Sequence, residues 1–304
     1  MTMRKKPSII KHIATLALLT MIRGLCALPR PIGLKVGKWI GLATFWGSKR
    51  RRQICETNLN LAFPDLGRSA SARLCKKVFI ENGRGLIETG WSWWSKPERF
   101  WRDMKVHGIE HLREATQNPN GVLLIGGHYS ALDLGGLLFA NISERFAATY
   151  RPHNSELVEA QILKGRQRFM DLIDRNDIRS LFKALDNGQT VWFAPDQDLG
   201  RARSIFVDFF GVPAATNAGL QKLAKRGATP LVIGFHRNAL GQYVIRFLPW
   251  EGAPSTQSPE EFAKTMNFLL EKMIRQEPAQ YMWMHRRYKT RPEGEENIYS
   301  RVIR

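Results

Sequence analysis

Gly126-Gly127-His128-Tyr129-Ser130-Ala131-Leu132-Asp133 brings together a two-glycine turn, an imidazole and a carboxylate five residues further on. The apolar run before it, residues 121–125 (GVLLI), reads as a buried strand. His128 then stands just past the carboxyl end of a strand, where α/β folds expose reactive groups. If the residues after His128 are helical, Asp133 lies little more than one turn along. Its carboxylate could then reach one imidazole nitrogen while the other faces a substrate. A carboxylate in that place fixes the tautomer and stabilises the imidazolium formed when the histidine removes a proton. Taken alone, such a pair is equally compatible with a core histidine and a surface acid.

Other polar residues fall at comparable places. Arg151 follows the strand-like run 146–150 (FAATY), and Arg166 and Arg168 close the next helical stretch. Guanidinium forks are natural partners for phosphates and carboxylates. Asp196 and Asp198 leave the run 190–194 (TVWFA) in a loop with Pro195 and Gly200, although aspartate favours such turns anyway. A basic run, His285-Arg286-Arg287-Tyr288-Lys289, makes Arg286 and Arg287 binding candidates or a solvated helix end. His107-Gly-Ile-Glu-His111 fits an inverted zinc-protease pattern, but Gly108 interrupts the helix that pattern requires and no third ligand is evident. No metal is therefore expected, and no G-x-S-x-G nucleophile elbow occurs.

These residues need a scaffold, and the sequence suggests one. Strands are expected at 121–125, 146–150, 190–194, 229–235 and 243–247, with Met104-Lys-Val-His-Gly reading as a strand ending in a turn. Helices are expected at about 130–140, 154–169, 178–187, 216–226 and 258–276, and across most of 53–100. Strands separated by helices predict an α/β fold, a mixed sheet with helices on its faces. The 304 residues suffice for one large domain or two small ones.

The formal net charge of +19 raises nucleic acid or an anionic membrane as partners. Residues 1–52 hold twelve Lys and Arg and no acid, so much of the excess sits in a short apolar leader. Pro29 and Pro31 break that leader in two, and the uncharged stretch 12–22 is too short to span a bilayer unaided. Two interfacial helices, or one tilted span and one interfacial helix, fit it. A cleavable signal peptide is the rival, but Leu25-Cys-Ala-Leu-Pro29 is a weak cleavage site. The division expected is a basic membrane-anchoring segment, 1–52, and a second domain, 53–304, with a helical lead-in at 53–100. The charge placement and the lack of a nucleic-acid motif argue against DNA. Three cysteines without metal or redox spacing suit a reducing compartment.

The pattern His-x-x-x-x-Asp after a strand resembles the glycerolipid acyltransferase superfamily. Within it, the chain looks like a late (secondary) acyltransferase of lipid A biosynthesis over roughly residues 5–295. The motifs that carry the likeness are Asn58-Leu-Asn-Leu-Ala-Phe-Pro64, Tyr150-Arg-Pro152, Gly165-Arg-Gln-Arg168, Ala194-Pro-Asp-Gln-Asp-Leu-Gly200 with Phe206-Val-Asp-Phe-Phe210, and Tyr281-Met-Trp-Met-His-Arg-Arg-Tyr-Lys-Thr-Arg-Pro292. The resemblance implies a glycerolipid-acyltransferase-like fold with an N-terminal membrane-associated helix, at the bacterial inner membrane and facing the cytoplasm. It implies transfer of a fatty acyl chain from an acyl carrier protein thioester to the hydroxyl of a 3-hydroxyacyl chain on a lipid A precursor. No other cofactor is implied. His128 would be the base, Asp133 its orienting carboxylate, and Arg151, Arg166, Asp196, Asp198, Arg286 and Arg287 substrate-site residues. Anionic membrane lipids, the acidic carrier and the phosphorylated precursor would be the partners. The rivals are a lysophospholipid or other glycolipid acyltransferase and a non-enzymatic membrane tether.

Overall fold

A computed structural model describes residues 9–300, with side chains from residue 13 onward. The leader's first eight residues, including Arg4, Lys5 and Lys6, lie outside the described residues, as do 301–304 of the second expected domain. The chain opens with helices: α1 (Ile9–Cys26), α2 (Arg30–Gly47), α3 (Lys49–Ala62), α4 (Arg68–Trp94) and the one-turn α5 (Glu98–Trp101). There follow β1 (Met104–His107), α6 (Ile109–Ala115), β2 (Val122–Gly126), α7 (Leu132–Phe139), β3 (Phe146–Tyr150), α8 (Glu156–Arg166), β4 (Met170–Asp174), α9 (Ile178–Asp186) and β5 (Thr190–Phe193). The chain continues with β6 (Ser204–Phe209), β7 (Val212–Asn217), α10 (Gln221–Lys225), β8 (Thr229–Arg237), β9 (Tyr243–Pro249) and α11 (Pro259–Ile274).

Seven strands form one mixed sheet in the order β1-β9-β8-β2-β5-β3-β4. β8 and β9 run antiparallel and the other neighbours parallel. β2 is wholly buried, as expected of a central strand between parallel neighbours covered on both faces. The expected strands appear close to their predicted places. Two features differ. The stretch 154–169 divides into α8 and a turn, after which β4 forms the sheet edge. The helix expected from 216 begins only at Gln221, because 212–217 pairs with 204–209 as the β6–β7 hairpin. Phe210 and Gly211 form its two-residue turn with φ of +53° and +71°, the double positive φ of a type I′ hairpin. Glu271 of α11 holds that turn by accepting from the Phe210 N–H at 2.6 Å. β1 ends at His107 and Gly108 turns the chain into α6, so His107 and His111 do not share one helix.

α4 is the spine of the helical layer. α2 crosses it so closely that a Cβ on Gly83 would overlap the backbone of Gly37 and Gly41, and one on Gly41 would overlap that of Phe79. Glycine at every fourth position of α2 (Gly33, Gly37, Gly41) keeps one face flat enough for that approach. The end of α1 docks on the same helix, with Trp91 Nε1 donating to the Cys26 carbonyl at 3.0 Å. On the sheet side, Arg237 of β8 is buried and paired with Glu81 and Glu88 of α4, and the Tyr243 hydroxyl donates to Glu88 at 2.9 Å. These charges tie helix to sheet, and removing one partner of such a buried pair typically costs about 3–5 kcal/mol.

The crossing generates a prediction. Gly83→Ala should lower stability by about 3 kcal/mol, since the neighbouring atoms are backbone and cannot step aside. Gly47→Ala, where a Cβ meets nothing, should be neutral. Urea midpoints in detergent would read both. An unchanged midpoint for Gly83→Ala would show that the helices do not approach this closely in solution.

Candidate active site

β2 and β5 are parallel neighbours in a register that places Ile125 opposite Phe193. Three residues beyond that pair, the same offset brings His128 beside Asp196. The contact is double: Asp196 Oδ2 accepts from the His128 backbone N–H at 2.8 Å, and Oδ1 lies 2.6 Å from imidazole Nδ1. The carboxylate therefore fixes both the loop and the ring. Asp196 is buried, and buried Tyr281 stands beside it and helps hold its carboxyl down.

The carboxylate expected on His128 was Asp133, and here the structure departs from the sequence reading. Residues 128–130 are not helical. They run extended against 280–282, with Met282 N–H donating to the His128 carbonyl at 3.0 Å and Ser130 N–H to the Gln280 carbonyl at 2.8 Å. α7 starts only at Leu132, which turns Asp133 away from the ring and toward α8. There it receives Arg166 through Nε at 2.6 Å and Nη2 at 3.3 Å. Asp133 is buried and its partner half-buried, and both face the same cleft as His128.

That cleft holds about 1390 Å³. Leu124, Phe139, Phe146, Met170, Ile233 and Phe235 supply apolar wall, and Trp192 stands beside His128 with ring centroids 6.4 Å apart. Arg151, Arg175, Arg203, Lys222 and Lys289 line it with exposed side chains. Among the described residues none of the five pairs with an acid. A chamber with greasy walls and a cationic rim suits an anionic amphiphile.

The remaining candidates separate. Arg151 and Arg166 are in the cleft. Asp198 lines it too, but its oxygens accept from Thr290 N–H at 2.6 Å, Thr290 Oγ1 at 2.9 Å and Gly200 N–H at 2.8 Å, so it pins the C-terminal segment. Arg287 is buried outside the cleft and donates to the Ala215 carbonyl at 2.6 Å and to Thr216 Oγ1 at 2.9 Å. It braces the hairpin and is not placed to bind substrate. Arg286 is half-buried and does not line the cleft; Lys289 is the cation of that run that reaches it. Arg168 donates to the carbonyls of Ser92, Trp93 and Ser95 at the end of α4. The Asn58 motif likewise serves the site at one remove: its Nδ2 holds the carbonyls of Trp283 at 2.6 Å and His285 at 2.7 Å.

Gln197 escaped notice as a candidate. Its Nε2 lies 3.2 Å from His128 Nε2, the ring nitrogen that Asp196 does not occupy. The signal available was its place after Asp196, at the end of a strand whose register with β2 is not written locally.

The electrostatics follow from this geometry. Burial acts on His128 against protonation, but the charge and hydrogen bond of Asp196 outweigh it and raise the imidazole pKa above its ordinary 6.5; Arg166 opposes the rise. Burial would push Asp196 up, yet its bonds to His128 and Tyr281 bring it down to about 2. The His128 contribution to stability is complete below about pH 6.5 and fades as pH rises through the higher folded-state value. The Asp196 contribution is present above 3.8 and fades only as pH falls through about 2. The pairing is thus intact across the mildly acidic range.

The family model of bacterial lipid A biosynthesis acyltransferases matches residues 2–290. The chain belongs to that family. It is 37% identical over 276 residues to the lipid A biosynthesis lauroyltransferase of Escherichia coli K12, covering 90% of each chain. The palmitoleoyltransferase of the same organism matches at 37% over 277 residues, again 90% of each. The E. coli myristoyltransferase is 25% identical over 275 residues, 89% of this chain and 84% of that one. The protein is therefore an acyltransferase of lipid A biosynthesis.

In this acyltransferase, Asp196→Asn removes the charge and leaves the burial, so the His128 pKa should fall below its ordinary value. The acid limb of the pH profile of kcat/KM should move to lower pH, and turnover should drop by at least about 10²-fold. An acid limb that stays in place would remove Asp196 from the role.

Proposed function

We propose that this acyltransferase moves a fatty acyl chain from an acyl carrier protein thioester to the hydroxyl of a 3-hydroxyacyl chain on a lipid A precursor. His128 is the general base and Asp196 its orienting carboxylate. The observation that carries this reading is the His128–Asp196 pair at the wall of a cleft with apolar sides and a cationic rim. An aliphatic hydroxyl has a pKa far above neutrality, so attack on a thioester needs a positioned base. Nδ1–H is committed to Asp196, which leaves the Nε2 lone pair for the hydroxyl proton. The family's reaction on a hydroxylated acyl chain asks for just this acid–base service, and direct attack in a ternary complex needs no covalent enzyme intermediate.

The apolar wall is suited to fatty chains. Arg151, Arg175, Arg203, Lys222 and Lys289 suit sugar phosphates and the acidic surface of a carrier protein. Arg166, oriented by Asp133, keeps Nη1 without a hydrogen bond among the described residues, and so remains able to meet an anionic group.

The same reading places the protein on the cytoplasmic face of a bacterial inner membrane. No helix among the described residues is long and apolar enough to cross a membrane. α1 and α2 instead expose Ile13, Leu16, Leu18, Met21, Ile32, Trp39 and Trp46. Arg23, Lys35, Lys38, Lys49 and Arg50 are exposed beside them. Apolar and indole side chains with flanking cations are the composition of helices that lie in an anionic headgroup layer.

Three experiments test this. Purified protein given acyl carrier protein thioester and a tetra-acylated lipid A precursor should add one acyl mass by mass spectrometry, and should leave lysophosphatidic acid unmodified. Folded His128→Ala should be slower by about 10²-fold or more; unchanged turnover would remove the base. Trp39→Ala/Trp46→Ala should shift the protein off vesicles containing anionic lipid, and undiminished vesicle binding would contradict the interfacial reading.

A further inference from the structure

We propose that Gln197 is the oxyanion donor of this site: its carboxamide rests on the reactive nitrogen of His128 and transfers to the thioester oxygen as the imidazole takes the substrate proton. The inference rests on His128 being the general base.

The argument begins with hydrogen-bond polarity. Asp196 Oδ1, 2.6 Å from Nδ1, keeps that nitrogen protonated, so Nε2 of the neutral ring carries a lone pair. Gln197 Nε2, 3.2 Å away, must then be the donor. An amide nitrogen has two N–H groups, and the second meets no other protein acceptor among the described residues. The side chain is half-buried in the cleft wall. Its loop is fixed on both sides, by Asp196 on His128 and by Asp198 on Thr290 and Gly200. The amide is therefore a preorganised donor aimed at the reacting atoms.

Nε2 has one in-plane lone pair, so the incoming acceptor hydroxyl displaces the Gln197 N–H from it on binding. The acceptor hydroxyl gives its proton to His128 Nε2 while its oxygen bonds to the thioester carbonyl carbon, and the carbonyl π pair becomes an oxyanion. Protonated Nε2 is itself a donor, so the displaced amide cannot return to the ring at this stage. The freed amide of Gln197 then stands beside the ring as the negative charge develops. Collapse re-forms the C=O, breaks the C–S bond, and the departing thiolate takes the Nε2 proton. The lone pair returns, and the amide can resume its resting bond. Arg166, with Nε and Nη2 on Asp133, has no hydrogen bond to the ring for the incoming hydroxyl to release. In the resting enzyme the same amide favours the neutral ring, the form able to act as a base.

The test uses the full chain, acyl carrier protein thioester and the tetra-acylated precursor. Gln197→Met keeps length and removes both donors; kcat should fall by about 10²–10³-fold, with KM for each substrate within about threefold. Gln197→Glu is isosteric and folds on the same contacts should the methionine variant not. It sets a second carboxylate against the ring and should move the acid limb of kcat/KM up by at least about one pH unit. A residue that only packs would leave that limb where it is. Retention of kcat within about threefold in folded Gln197→Met, or an unmoved acid limb in Gln197→Glu, overturns the proposal. His128→Ala run alongside separates the two levels. If it is inactive while Gln197→Met is not, the donor role alone fails; if it is active, the base reading fails and the donor role with it.

Discussion

One carboxylate, Asp196, holds residue 128 at two points, the backbone N–H and the imidazole Nδ1. The backbone bond sets where the loop after β2 can go, and the ring bond sets which nitrogen faces the cleft. Charge-assisted hydrogen bonds in a buried setting are strong, and this one also decides the tautomer. The cost of burying Asp196 is offset by its partners, as its pKa near 2 records. Everything assigned to His128 depends on that pair.

The fold supplies the pair through register. Parallel pairing of β2 with β5 at Ile125 and Phe193 brings the two loop residues together three positions later. Around it, successive layers remove freedom. Tyr281 and Met282 give the 128–130 segment an extended course, Asn58 secures Trp283 and His285, and Asp198 secures Thr290. α4 carries the closely crossed α2 on one side and the buried Arg237 cluster on the other, so the N-terminal helices and the sheet share one element. Several motif residues, Asn58, Arg168, Asp198 and Arg287 among them, thus hold backbone around the pair.

Much of this was legible in the sequence, for identifiable reasons. β-rich apolar runs located β2, β3, β5, β8 and β9, and the strand-turn placement singled out His128, Arg151, Asp196 and Asp198. What failed was non-local. Asp133 looked like the partner of His128 because it is near in sequence and a helix was assumed to begin at once. The pairing of 128–130 with 280–282 postpones that helix, and no local pattern announces a contact spanning about 150 residues. β4 and the β6–β7 hairpin were hidden similarly, the one in the short gap between the helices expected at 154–169 and 178–187, the other where only the Phe210-Gly211 turn gave a clue. Arg287 looked like a substrate ligand because basic runs usually face solvent, whereas it is buried with Nη1 and Nη2 donating to Ala215 and Thr216.

The central claim is that Asp196, and not Asp133, governs the catalytic imidazole. Nitrogen-15 shifts of His128 in selectively labelled protein read this most directly. At a pH above the raised His128 pKa, the account predicts a neutral ring protonated at Nδ1 in the wild type and in Asp133→Asn, with that preference lost in Asp196→Asn. Loss of the preference in Asp133→Asn, with Asp196→Asn unaffected, would contradict it.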